Sequence, residues 1–257
     1  MTFEVPTRHN TNLQQLVERV NADAELIQLW KCANINAVDR LGMSDHGEVH
    51  IRIVANAALR IQRLLTEAEI EPSVVTYHQL TPAEAEVIVV LAACLHDLGI
   101  SIHRDGHERY SLILAYPKAR QLLAGLYDEP TLTIIVAEVL HAIIAHRAKE
   151  RCLTLEAGVL KVADALDMTQ GRSRIPFEAG QINIHSVSAA AVESVKIEKG
   201  HDRPVRVIVR LTNSAGIFQV DELLKYKLRN STLAPYVEIE ASLEGETERH
   251  LVEIYKL

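Results

Sequence analysis

Cysteine is scarce in this 257-residue chain: Cys32, Cys94 and Cys152 are all there is. An odd number, widely spaced and without a CxxC pair, excludes a disulfide framework and a zinc–thiolate site. It reads as reduced thiols in a cytoplasmic protein. Long hydrophobic runs are missing too. None reaches the ~20 residues needed to cross a bilayer, and VIVVLAACL reads instead as a core helix, so no membrane partner is expected. The opening MTFEVPTRHNTN lacks the basic-then-apolar order of a signal peptide. Positive charge is in deficit: 27 Lys and Arg stand against 34 Asp and Glu, a net charge of −7. That argues against nucleic acid as the main partner, while leaving room for a local basic pocket around a small phosphate ligand. Internal repeats and low-complexity tracts are absent. What remains, 48% hydrophobic and 24% charged, is the composition of one large globular domain or two smaller ones.

The apolar spacing divides the chain near residue 175. Before it, helical periodicity predicts helices over 13–31, 46–69, 81–98, 106–127 (interrupted at Pro117), 131–147 and 154–169. The third has the clearest start, with Thr81 as N-cap, Pro82 at the first helical position and Glu84 completing a capping box. It is apolar on nearly every side, which predicts a central position, and Gly99 stops it. After Pro176 the pattern changes to alternation, predicting strands at 181–185, 195–198, 205–211, 237–241 and 251–257, with one amphipathic helix at about 219–229. The expected architecture is therefore an all-α bundle over 1–175 followed by a small α+β domain over 176–257. The exposed strand edges of that domain could support a homo-oligomer.

Histidine is unevenly placed, with eight of twelve lying between His46 and His146. The sharpest feature is the doublet His96-Asp97, at the end of the apolar segment LAACLHDLGIS. An imidazole and a carboxylate in such a place are costly to desolvate without a partner. Asp164, in LKVADALDM, poses the same problem on an apolar helix face. His46 lies one turn before His50, and His103 one turn before His107 if that segment is helical. His141 and His146 are five apart, about 140° around a helix, so only one of them faces a shared centre easily. Imidazole and carboxylate together suit Fe, Mn, Zn, Co or Ni. Six donors exceed what one tetrahedral ion takes, and two ions sharing a carboxylate would account for the number.

In order, these elements are HIRIVA from His50, LHDLG around His96-Asp97, GHE around His107, AIIAH ending at His146, and VAD ending at Asp164. The pattern resembles the HD domain of metal-dependent phosphohydrolases, in its longer H…HD…H…H…D form. The segments SRIPF and NSAGIFQVDELL extend a likeness to mostly archaeal HD proteins of unassigned substrate. The resemblance implies His50, His96, Asp97 and Asp164 on one metal ion. It places His107 and His146 on a second, with Asp97 bridging, and favours His146 over His141.

It also implies a hydrolase that cleaves a phosphate ester or anhydride, most naturally of a nucleotide. A metal-bridging water would attack phosphorus, and His103 or His46 would protonate the leaving group. Lys161, three residues before Asp164, is a further catalytic candidate. Arg104, Arg147, Arg172 and Arg174 are candidates for substrate phosphate. Two other readings fit a similar ligand set: a mixed-valence di-iron oxygenase of the same fold, and a nucleotide-binding sensor without catalysis.

Overall fold

The computed structural model describes residues 2–169, 184–243 and 254–256. As the sequence predicts, helices fill the first part and an α+β arrangement the second. The helices are α1 (Thr11–Ala22), α2 (Ala24–Asn34), α3 (Glu48–Glu67), α4 (Ser73–His78), α5 (Pro82–Leu95), α6 (His107–Leu123), α7 (Glu129–Ala145) and α8 (Leu155–Ala165). A π-helical turn, Ile35–Arg40, extends α2, and a 3-10 turn, Leu98–Ser101, follows α5.

Side-chain caps set the boundaries. Asn10, Asp23, Asp128 and Thr154 each accept a hydrogen bond from the backbone N–H that opens a helix, satisfying donors that would otherwise be orphaned. Asp23 explains a difference from the expected single helix over 13–31. Its extended backbone ends α1, and its carboxylate caps α2. Thr81 and Glu84 form the predicted capping box of α5. That helix is buried from Val87 to Leu95 and packs against α3, α7 and α8, the central position its apolar surface requires. Pro117 does not interrupt α6. It lies on the exposed side, where water can satisfy the carbonyl that its missing N–H leaves unpaired.

The second part contains α9 (Ile184–Ala190), β1 (Val192–Lys199), β2 (Val205–Leu211), α10 (Lys225–Arg229, entered through a π-helical turn at Gln219–Leu224), β3 (Val237–Leu243) and β4 (Ile254–Lys256). The alternation read at 181–185 does not give a strand where it can be followed. Positions 181–183 lie outside the described residues, and the chain is helical from Ile184 into an alanine-rich stretch that favours helix. The strands form one sheet in the order β1-β2-β3-β4. The outer pairs are antiparallel and β2–β3 is parallel. A parallel neighbour cannot be reached by a hairpin, so the chain crosses over between β2 and β3. The crossover contains α10, which lies against α8. On the inner sheet face, Val205, Val207, Val209, Val237 and Ile239 are buried in the same hydrophobic core as the helices.

Candidate metal centre

Five helices converge where the polar residues are buried. His50 comes from the first turn of α3. His96 and Asp97 lie just past the end of α5, His107 opens α6, His146 follows α7, and Asp164 is near the end of α8. Gly99 makes the close approach possible. A Cβ there would sit 2.0 Å from the His107 carbonyl oxygen and 2.5 Å from the Ser111 nitrogen. Ser111 ties the same junction, since its hydroxyl donates to the His96 carbonyl at 2.6 Å and accepts from the Gly99 N–H at 2.8 Å. Gly106, with φ of +72°, turns the chain through the left-handed region so that α6 begins at His107.

All six predicted donors face one pocket. The Asp97 carboxylate divides its oxygens between two pairs of imidazoles. Oδ2 lies 3.4 Å from His50 Nε2 and 3.3 Å from His96 Nε2. Oδ1 lies 3.1 Å from His107 Nε2 and 3.8 Å from His146 Nε2. Asp164 Oδ1 is 3.6 Å from His50 Nε2 and 3.8 Å from His96 Nε2. Three ligand groups could each hold an ion: His50/His96/Asp97, His96/His146/Asp164 and Asp97/His107/His146.

The far sides of the rings are also engaged. His50 Nδ1 is 2.7 Å from Asp167 Oδ2, His96 Nδ1 2.9 Å from the Ala93 carbonyl, and His146 Nδ1 2.5 Å from the Ile143 carbonyl. Carbonyls and carboxylates only accept, so the ring proton sits on Nδ1 and Nε2 presents a lone pair to the pocket. The Nε2 atoms of His50 and His96 are nevertheless 3.3 Å apart. Two facing lone pairs beside two carboxylates make a poor hydrogen-bonded cluster and a good cation site. The donor set therefore fits a divalent metal. His107 is less constrained, because its Nδ1 meets both the Arg104 carbonyl at 3.0 Å and the Arg104 guanidinium at 2.6 Å.

The carboxylates call for positive charge. Burial would raise Asp97 and Asp164, but cationic neighbours, His96 beside Asp97 and above all Lys227 beside Asp164, hold both well below the usual carboxylate range; an ion taking the Nε2 lone pairs would supply that charge in place of a protonated imidazole. Burial, together with the neighbouring His96, pushes His146 down to about 3, so it is a neutral ligand-type imidazole near neutral pH.

The other predicted site residues fall outside the six-donor set, two of them beside it. His46 precedes α3, so the helical i,i+4 relation with His50 does not apply. Its ring is still 5.4 Å from that of His50, with Nδ1 2.7 Å from the Ser44 carbonyl. His103 is exposed on a non-helical loop, since Gly106 delays the start of α6. His141 Nε2 accepts from the Leu153 N–H at 3.0 Å and stays out of the six-donor set. Lys161 is fully buried, but its ammonium donates to the carbonyls of Glu150 and Asn230. Arg104 touches His107, and the half-exposed Arg147 lies 4.0 Å from Glu108. Arg172 and Arg174 lie outside the described residues.

Two residues at the site were not anticipated. Asp167, just past the end of α8, buttresses His50, and its place as a second carboxylate three residues after Asp164 was a usable signal. Lys227 of α10 forms an ion pair with Asp164 Oδ2, and nothing local in the sequence pointed to it.

Residues 48–169 match the HD domain family. The chain is also 44% identical over 216 residues to an uncharacterized protein of Methanocaldococcus jannaschii, covering 84% of this chain and 83% of that one.

Proposed function

Because the chain belongs to the HD-domain family, whose members are usually metal-dependent phosphohydrolases, we propose that it hydrolyses a phosphate ester or anhydride of a nucleotide. The observation that carries this reading is the divided Asp97 carboxylate, with one oxygen toward each imidazole pair. In this reading His50, His96, Asp97 and Asp164 hold one divalent ion and His107 and His146 the other, with Asp97 serving both. Bound ions of this kind neutralise phosphoryl oxygens and lower the pKa of water toward neutrality.

The chain's own contribution is pre-organisation. Asp167 keeps the His50 proton on Nδ1 and its lone pair inward, and the Ala93 and Ile143 carbonyls do the same for His96 and His146. The apolar walls of α5 and α8 limit water and so strengthen each charge interaction within the pocket.

The test is metal analysis of the purified protein, then a phosphate-release screen over nucleotides with Mn, Fe, Zn, Co or Ni, with Asp97→Ala as control. Metal-dependent release that the variant lacks supports the reading. Oxygen uptake with a mixed-valence EPR signal and no phosphate release would replace it with an oxygenase.

A further inference from the structure

The parallel β2–β3 pairing sends the crossover chain across α8, and with it Lys227. The Lys227 ammonium is paired with Asp164 Oδ2, while Asp164 Oδ1 faces His50 and His96. The ammonium therefore stands one carboxylate's width from an oxygen of the donor set. Its side chain is 21% exposed, so it is not sealed from solvent. An ammonium has three donors, and Asp164 takes one.

The other cations expected near the site are committed differently. Lys161 is turned to backbone carbonyls and Arg104 to His107. Arg147 is half-exposed, near Glu108 and Glu150. Among the described residues, Lys227 is the one lysine or arginine in ion-pair contact with a carboxylate of the six-donor set.

We propose that Lys227 is the substrate-contacting cation of this site, delivered by the C-terminal part of the chain and binding a non-bridging oxygen of the phosphoryl group. This rests on the phosphohydrolase reading for its substrate, but not for its anion. An ammonium held at the edge of a divalent-cation pocket suits a tetrahedral oxyanion that also contacts the ion. Its pairing with Asp164 fixes the position of the charge before substrate arrives, which lowers the ordering cost of binding.

The experiment compares wild type, Lys227→Met and Lys227→Arg as full-length, Mn-loaded proteins. Three quantities are read: metal stoichiometry, the affinity for inorganic phosphate by calorimetry, and kcat/KM on whichever nucleotide the screen finds. Methionine keeps the apolar stem and removes the charge. The expected result is unchanged metal content, phosphate binding weakened on the order of tenfold to a hundredfold, a matching fall in kcat/KM, and substantial recovery in Lys227→Arg. Wild-type phosphate affinity in Lys227→Met overturns the proposal. So does loss of metal in that variant, which would make Lys227 a positioning residue for Asp164, and so does a wild type that binds no phosphate. A wild type that binds phosphate through Lys227 yet hydrolyses nothing would sink the hydrolase reading and leave the anion contact standing.

Discussion

Removing the Asp167 carboxylate tests the proposed metal centre without touching a ligand. Its Oδ2 lies 2.7 Å from His50 Nδ1, and both side chains are buried, so the bond is short, charge-assisted and shielded from solvent. It does two things: it fixes the tautomer and ring angle of His50, and it raises the basicity of Nε2. Asp167→Asn keeps an accepting oxygen and loses the charge, whereas Asp167→Ala loses both. Loss of such a buttress weakens metal binding by roughly ten- to a hundredfold, which is about 1.4–2.8 kcal/mol. Asparagine should fall near the lower figure and alanine near the upper. Because His50 belongs to one ion in the proposed assignment, calorimetric titration with Mn should show one binding step weakened and the other preserved. Equal affinity in Asp167→Ala and wild type would refute the reasoning, and so would equal weakening of both steps.

Asp97→Ala, which removes the carboxylate facing both imidazole pairs, should abolish binding of both ions and any phosphate release; metal retained at full stoichiometry would contradict the shared role. Gly99→Ala forces a Cβ to 2.0 Å from the His107 carbonyl, so chemical denaturation should show a loss of at least about 1–3 kcal/mol, with weaker metal binding because α6 must move. Glu156 is fully buried, accepts from the Val74 N–H at 3.1 Å and has no hydrogen-bond partner for Oε2. Burial, reinforced by nearby Glu138, raises its pKa, so the folded state loses stability as pH rises above the unfolded carboxyl value of about 4.3. Glu156→Gln should therefore melt higher than wild type at about pH 8, the difference closing near pH 4; an equal gain at both pH values would point to packing instead. Chelation should lower the melting temperature, since metal at a hundred times its Kd contributes about 2.7 kcal/mol to the folded state; no change on adding or removing Mn would argue against any ion at the site.

Most of the helical part was legible because local signals set it. The Thr81/Glu84 capping box and the all-round apolarity of α5 located the central helix. Misreadings arose where a single residue overrode periodicity. Asp23 split the first helix, and Gly106 placed His103 on a loop and not one turn before His107. Alternation at 181–185 was too brief to outweigh the alanine-rich run after it. The β2 and β3 strands were readable from strict alternation, but their parallel pairing was not, because it depends on where the crossover packs.

The same division runs through the site. A buried ionisable residue announces itself on an apolar face, which is why His96, Asp97 and Asp164 stand out, but the sequence does not say what satisfies it. Lys161 shares a helix side with Asp164, yet its ammonium found two carbonyls. The cation that pairs with Asp164 came from 63 residues away, on a crossover whose course follows from strand order. The donors belong to the helical part, but the charge balance at Asp164 depends on the sheet. The C-terminal part thus contributes a charge at Asp164, and a change in its packing against α8 should displace that charge.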